Sequence, residues 1–198
     1  KFIVARRLMY WQVYLHKTVL SAEFLLAKIL ERAREIYNED KKLFMVPKML
    51  YFLEKQITNE NYQDFDFLKH FSKLDDFDVF TCIKVWAESK DKVISKLSNM
   101  LINRNLLKVQ ISSKKFSSEK LEKIKLSHQK NLGITGEEIN YFVFQKEMTN
   151  NAYDPRKDKI KILFNNGLIK DITLASDNLN ISALSKPVKK YYLFAPNF

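Results

Sequence analysis

One amphipathic pattern covers the first 37 residues and constrains the fold more than any other feature of the sequence. Apolar residues recur there at three- and four-residue spacing, which places them on one face of an α-helix. Only 3 glycines and 4 prolines occur among the 198 residues, and this scarcity favours helices over tight turns. The pattern predicts a single helix over residues 1–37 that serves as a spine.

The start of this helix lacks the usual start signals. A helix normally begins at a Ser, Thr, Asp or Asn whose side chain caps the first turn. Here the helical pattern is already present at Lys1, without a cap residue or an initiating methionine. We therefore expect the sequence to be a piece of a longer protein, cut inside or just before a helix.

The rest of the first half is also predicted to be helical. A short helix is expected over residues 46–55, with Pro47 in its first turn, where proline is tolerated. Further helices are expected over residues 65–71, 75–86 and 92–103. We therefore assign residues 1–106 to one helical region.

The second half mixes strands with helices. Strands are expected at residues 107–112, 140–148, 159–164, 168–174 and 190–194, and helices at 117–131, after a capping box, and 181–184. The sequence Asn165-Asn166-Gly167 is typical of a hairpin turn. The order of these elements is close to the β-α-β-β-α-β of a ferredoxin-like arrangement, with one additional strand, and predicts a small α+β lobe of that kind over residues 107–198. The expected fold class is thus mainly α, followed by this lobe.

Charge and cysteine content narrow the classes of partner. The formal net charge of +11 suits nucleic acid, an anionic small molecule or an acidic partner, although the scattered lysines are also typical of a solvated surface. Cys82 is the single cysteine and is expected in the core. Because no disulfide can form within the chain, the sequence fits a reducing, cytoplasmic compartment. No apolar stretch reaches the ~20 residues of a membrane span, so no membrane partner is expected.

The sequence contains no complete catalytic or metal-binding motif. Its three histidines have no neighbour at metal-ligand spacing, and no His-Asp pair occurs. Asp75, Asp76 and Asp78 form an acidic group that suits either a cation or a helix N-terminus, and we favour the capping interpretation. No catalytic residue and no metal ligand are therefore assigned.

Two sets of cationic residues are candidate binding sites. Arg6, Tyr10, Tyr14 and Lys17 share one helical face at 100° per residue. Guanidinium and phenol groups on one face suit a phosphorylated ligand that carries rings, although tyrosines at a core boundary would give the same spacing. Arg104 and Lys108 form a second set, which shares a face if the preceding helix continues that far.

Three stretches together resemble one protein family. They are RRLMYWQVYLHK at residues 6–17, the helical region 74–108 that ends in RNLLK, and the tail 151–193. In this order they resemble the long helix, the later helix pair and the closing α+β lobe of the HD-domain deoxynucleotide triphosphohydrolases. The resemblance covers essentially the whole chain and implies the C-terminal half of such an enzyme, with residues 1–106 continuing a missing HD domain.

The resemblance also implies roles for individual residues. Arg6 matches a position that binds the substrate triphosphate, and Tyr14 one near the sugar, with Tyr10 beside them. Effector-nucleotide positions of the family match these residues: His16, Lys17, Arg104 and Lys108. In the family, such cationic clusters meet across subunits and bind GTP or a dNTP, which implies a homo-oligomer, either a dimer or a tetramer.

The metal site of the family has no counterpart in this sequence. It needs a His, a His-Asp pair and a later Asp, all located before the long helix. The resemblance implies that a divalent metal (Mn, Mg, Zn or Fe) belongs to the missing HD domain and that this chain has no cofactor of its own. Without the metal, no activated water attacks the α-phosphate, so the chain by itself is expected to be inactive.

Two other functions fit the same sequence. A basic nucleic-acid-binding protein would account for the charge of +11, although no recognisable DNA- or RNA-binding motif is present. A structural oligomerisation module would account for the helices, with the cationic pairs as ordinary surface.

Overall fold

Aspartate side chains mark the starts of several helices in the first half of the chain. Asp64, Asp75 and Asp91 each accept a hydrogen bond from a backbone N–H of the first turn that follows. Each thereby satisfies a donor that the helix itself leaves unpaired.

The computed structural model describes residues 2–40, 42–55, 57–150, 153, 159–175 and 187–197.

The described helices agree broadly with the sequence pattern. They are α1 (Phe2–Met9), α2 (Lys17–Asp40), α3 (Pro47–Glu54), α4 (Phe65–Phe71), α5 (Asp76–Trp86), α6 (Lys92–Ile102), α7 (Ser118–Leu132) and α8 (Ile172–Ala175). A π-helical segment covers Tyr10–Tyr14, and 3₁₀ turns cover Asn59–Gln63 and Gly136–Tyr141. The α-rich fold with a small α+β part confirms the predicted fold class.

The prediction of one helix over residues 1–37 is wrong in one respect. The helix is interrupted at Leu15 and His16, between the π-helical segment and α2. No glycine or proline lies there, so the local sequence carries no signal for the break. Contacts with distant residues, described below, accompany the break.

The strands form two separate antiparallel sheets. They are β1 (Lys108–Ser112), β2 (Phe144–Asn150), β3 (Lys161–Leu163), β4 (Ile169–Asp171) and β5 (Val188–Ala195). The first sheet has the order β1-β5-β2, while β3 and β4 pair only with each other across the turn at Asn166 and Gly167. The hairpin is confirmed, but the described strands do not make the single sheet of a ferredoxin-like lobe. The expected helix at 181–184 lies outside the described residues.

The chain divides into two compact units, and both draw on distant parts of the sequence. The first unit contains Lys1–Ser21, Lys108–Ile124 and Val143–Ala195. Its core includes Phe144 and Phe194, whose rings stack with centroids 4.9 Å apart. Tyr192 is also buried, at 1 % exposure. The helix α1 therefore belongs to the same unit as the three-stranded sheet.

The second unit contains Ala22–Leu107, Lys125–Phe142 and Pro196–Phe198. Its largest buried side chain is Trp86, whose indole N–H donates to the backbone carbonyl of Phe44 at 2.7 Å. Cys82 lies four residues before Trp86 on α5 and is fully buried, which confirms its predicted place in the core. Burial raises the pKa of the Cys82 thiol.

An ion pair also lies within this second unit. Arg32 donates to both carboxylate oxygens of Asp91, at 3.3 and 2.6 Å, and to Glu35 at 3.0 Å. The guanidinium carbon of Arg32 lies 6.0 Å from the centre of the Tyr141 ring. These contacts tie α2 to the N-terminus of α6, because Asp91 also caps that helix.

Candidate functional site

Three of the predicted site residues form a continuous row along the first 14 residues. The guanidinium carbon of Arg6 lies 5.9 Å from the centre of the Tyr10 ring. The rings of Tyr10 and Tyr14 meet edge to face, with centroids 5.2 Å apart at 64°. Arg6 and Tyr14 are exposed and Tyr10 is half-buried. A guanidinium beside two phenol rings provides phosphate donors and ring contacts within one surface.

The geometry of this row comes from the π-helical segment. The backbone N–H of Leu15 donates to the carbonyl of Tyr10 at 2.7 Å, a five-residue step that makes a wider turn than an α-helix. Each residue of such a turn rotates by less than 100°, so the angular prediction does not hold beyond Tyr10. Such segments occur frequently at functional sites.

The fourth predicted member of the row, Lys17, lies beyond the break. It is exposed and is the first residue of α2. The ring nitrogen Nδ1 of His16 accepts a hydrogen bond from the N–H of Thr18 at 3.3 Å, and the carbonyl of His16 accepts one from Leu20 at 3.0 Å. His16 therefore caps α2.

Contacts with the sheet of the same unit hold the break in place. The hydroxyl of Tyr192 donates to the backbone carbonyl of Leu15 at 3.2 Å. The ammonium of Lys190 lies 4.0 Å from the centre of the Trp11 ring, a cation–π contact. The side chain of Asn150 donates to the carbonyl of Arg7 at 3.4 Å. Sequence reasoning missed these supporting residues, because their partners lie up to 177 positions away.

Arg104 and Lys108 do not share a helical face. The helix α6 ends at Ile102, and Lys108 is the first residue of strand β1. The condition for a shared face, a helix that continues to residue 108, is therefore not met. Both side chains are exposed.

The backbone of Arg104 is unusual. Its N–H donates to Leu101 at 3.2 Å and that of Asn105 donates to Met100 at 2.9 Å, which is the Schellman pattern that ends a helix. Arg104 occupies the left-handed position of this motif, with φ 55°. Among the described residues, no other residue except glycine has a positive φ. Glycine usually holds this position because a side chain there is strained.

The acidic group at residues 75–78 is a helix cap, as expected. Asp75 accepts from the N–H of Asp78 at 3.1 Å, and the Asp78 side chain accepts from the N–H of Asp75 at 3.3 Å. Within the described ranges, no group of three or more His, Cys, Asp or Glu side chains is placed to hold a metal ion. The divalent metal implied by the family resemblance therefore does not fit the residues that the structure describes.

The second unit also has an apolar groove. A groove of about 630 Å³ is lined mainly by apolar residues of α2, α3 and α5, including Leu30, Phe52 and Val79. The charged residues at its rim are engaged within the chain: Glu31 pairs with Lys28 at 2.7 Å, and Arg34 donates to a backbone carbonyl. Over the part of the chain that is described, no helix is both long and apolar enough to cross a membrane.

The fold is similar to part of a phosphohydrolase of known structure. A crystal structure of a phosphohydrolase from Bacteroides thetaiotaomicron VPI-5482 matches with a TM-score of 0.86 and 45 % sequence identity. The match covers 99 % of this chain and 49 % of that chain. The chain therefore has the fold of about half of that phosphohydrolase.

A second relative is also matched by this chain over only part of its length. The uncharacterised protein YwfO of Bacillus subtilis (strain 168) is 28 % identical over 184 residues, which is 88 % of this chain and 39 % of YwfO. No protein-family model matches the chain. The chain thus spans about half the length of the solved phosphohydrolase, or less than half in the case of YwfO.

Proposed function

We propose that this chain is the C-terminal nucleotide-binding and oligomerisation portion of an HD-family, metal-dependent phosphohydrolase. The whole enzyme would hydrolyse a dNTP, such as dGTP, to deoxynucleoside and tripolyphosphate. The observation that carries the proposal is the 45 % identity to a phosphohydrolase of known structure over 99 % of this chain. The likeness of three stretches to the deoxynucleotide triphosphohydrolases supplies the substrate class.

The row Arg6–Tyr10–Tyr14 is the proposed contribution of this chain to the substrate site. Arg6 would bind phosphate oxygens, because a guanidinium pairs with them through two parallel hydrogen bonds. The exposed ring of Tyr14 would lie against the sugar, with Tyr10 holding it edge to face.

The proposed effector site uses His16, Lys17, Arg104 and Lys108. All of them are exposed, as ligands for a nucleotide shared between subunits would be before assembly. The strained backbone at Arg104 supports a functional role, since residues held in rare conformations cluster at binding sites. A nucleotide bound between cationic clusters of different copies would join them into a homo-oligomer.

The chemical step belongs to the part of the enzyme outside this chain. A divalent metal there would supply the nucleophile by lowering the pKa of a bound water. The residues described here would bind and orient the nucleotide. The chain alone is therefore proposed to be inactive.

The direct test uses the protein extended to the length of its phosphohydrolase relative. Tripolyphosphate release from each dNTP would be measured with Mn²⁺, with and without GTP. Release that requires metal and nucleotide is expected, and the variant R6A should lower it more than tenfold, about 1.4 kcal/mol of lost binding. K114A, which removes an exposed lysine of the first unit, serves as the control.

Substitutions at the proposed substrate site and at the proposed effector site should affect the reaction differently. R104A/K108A should abolish the stimulation by GTP while leaving the metal-dependent basal rate in place. The absence of tripolyphosphate release with every nucleotide would refute the proposed reaction. Hydrolysis by the isolated 198-residue chain would refute the division of labour between the two halves.

The net charge of +11 favours nucleic-acid binding as a second candidate function. A protein that neutralises several phosphates loses affinity steeply with salt, by a slope of about −0.7 per phosphate for single strands. A steep slope for DNA or RNA, together with no nucleotide hydrolysis, would support this function. A purely structural module would show neither property.

A further inference from the structure

The triplet Asp-Phe-Asp occurs twice in the second unit, each time at the start of a helix. The triplets are residues 64–66, at the start of α4, and residues 76–78, at the start of α5. Their central side chains, Phe65 and Phe77, are 81 % and 83 % exposed, more than any other large apolar residue that the structure describes. Aromatic side chains this exposed often mark contacts with other proteins.

The two carboxylates of the second triplet, Asp76 and Asp78, differ in their contacts. Asp78 is engaged as a cap and lies 3.4 Å from Lys48, whereas no ion pair or side-chain hydrogen bond within the described ranges engages Asp76. An unpaired carboxylate therefore stands beside the most exposed aromatic ring. We name Asp76 and Phe77 the acidic knob.

A surface of opposite character lies in the first unit. The hairpin β3–β4 and helix α8 line a groove of about 520 Å³ with Lys159, Lys161, Ile169, Lys170, Asp171, Thr173 and Leu174. Ile169 and Leu174 are 58 % and 75 % exposed, so the groove is apolar between its charges. We name this surface the basic groove.

Asp171, whose carboxylate lies in the described lining of the basic groove, is already engaged. The hydroxyls of Tyr153 and Thr173 both donate hydrogen bonds to Asp171, that of Thr173 at 2.6 Å. Burial alone would raise the pKa of the Asp171 carboxyl, but the hydrogen bonds from Thr173 and Tyr153, with a smaller contribution from Lys159, lower it. Lys161 and Lys170 have no ion pair with any residue the structure describes. Lys170 lies 5.7 Å from the centre of the Phe164 ring. The described lining of the groove thus combines three lysines with the exposed Ile169 and Leu174.

We propose that the acidic knob of one copy of this chain docks into the basic groove of a second copy. The Phe77 ring would cover the exposed Ile169 and Leu174, and the carboxylate of Asp76 would pair with Lys170. The contact joins the second unit of one copy to the first unit of another. Each copy then buries two apolar surfaces that are exposed in the single chain.

This contact needs no nucleotide, and so it is independent of the proposed effector site. The test is therefore made on the 198-residue chain without nucleotide, by sedimentation over a range of concentrations. We expect reversible self-association, and we expect F77A to weaken it by about tenfold or more, as for an aromatic residue central to an interface. L126A, which shortens another exposed apolar side chain (66 % exposed), is the matched control and should associate like the wild type.

A charge exchange tests the pairing itself. D76K and K170E should each weaken self-association, and an equimolar mixture of the two variants should form mixed assemblies again. Lys170 lies opposite Ile162 in the hairpin, so K170E creates no like-charge pair across the strands. K130E, at an exposed position of α7, has the same charge change and should have little effect.

The variants decide the question better than a salt series does. Each copy carries a net charge of +11, so added salt weakens both the general repulsion between copies and the proposed pair. A chain that stays monomeric at millimolar concentration would overturn the proposal. Self-association of F77A and K170E equal to that of the wild type would also overturn it. A third contrary result would be a monomeric chain that binds single-stranded DNA through Lys170.

Discussion

The hydroxyl of Tyr192 donates a hydrogen bond to the backbone carbonyl of Leu15, at the point where the first helix stops. The helix break leaves this carbonyl without a helical partner, and the strand β5 supplies one. Tyr192 is 1 % exposed, so its hydroxyl has no alternative partner in water, and burial raises its pKa. The row of candidate substrate residues is thus positioned by the last strand of its unit.

Replacing Tyr192 with Phe should destabilise the chain by about 1–2 kcal/mol, because the carbonyl of Leu15 loses its partner while the ring still fills the core. Urea unfolding measures this free energy. Y14F removes a hydroxyl from a side chain that is 51 % exposed and should cost less than about 0.5 kcal/mol. Equal stability of Y192F and Y14F would mean that the bond does not secure the break.

Replacing Arg104 with Gly should stabilise the chain by about 0.5–1 kcal/mol. Glycine removes the strain of the left-handed conformation, although it also adds entropy to the unfolded state. R104A is the control, because it removes the charge but keeps the strain. If R104G were no more stable than R104A in urea, φ 55° at this position would carry no cost.

The ion pair between Arg32 and Asp91 should make stability depend on pH. Burial alone would raise the pKa of the Asp91 carboxyl, but hydrogen bonds from Arg32 and Ile94 lower it below its ordinary value of 3.8. The ionised carboxylate therefore stabilises the fold above about pH 4, and this contribution is lost as the pH falls through the lowered pKa. D91N keeps a capping side chain but should cost about 2 kcal/mol at pH 7.

Urea unfolding at two pH values checks this prediction. The difference between wild type and D91N should shrink when the pH is lowered from 7 to 3, since the wild-type carboxyl begins to take up a proton. E31Q serves as the control, because Glu31 is 51 % exposed where it pairs with Lys28, and exposed pairs contribute little. A difference that stays constant with pH would contradict the role of the charge.

The thiol of Cys82 should be inert in the folded chain. It is fully buried, accepts a hydrogen bond from the N–H of Val46 at 3.4 Å, and has a pKa raised by burial. At pH 8 it stays protonated and unreactive. Alkylation by iodoacetamide should be at least about 100-fold slower than in urea, because it requires local opening. Comparable rates with and without urea would contradict the packing of this unit.

Local signals predicted the elements whose boundaries are set by neighbouring residues. Ser117 caps α7 by accepting from the N–H of Lys120 at 3.3 Å, and Asp75 caps α5, both as expected. The hairpin turn at Asn166 and Gly167 was likewise predicted, because positive φ at glycine (79° at Gly167) is a local preference. Interactions within a few residues were therefore sufficient for these features.

Features that depend on distant contacts could not be predicted in this way. At the break, the carbonyl of Leu15 is bonded by Tyr192, 177 positions away. The sheet order β1-β5-β2 likewise needs a strand that follows β2 by a long stretch of chain. Of the predicted site, the structure brings Arg6, Tyr10 and Tyr14 together, whereas Lys17 lies past the break. The roles of these residues remain proposals based on resemblance.

The central place of β5 in its sheet has a consequence for biosynthesis. Strands β1 and β2 do not pair with each other, and both wait for the strand Val188–Ala195. During translation that strand leaves the ribosome after every other described element of its unit, while the helices of the second unit can form earlier. The segment that carries Arg6, Tyr10 and Tyr14 therefore completes its packing against this sheet only after the strand Val188–Ala195 has been made.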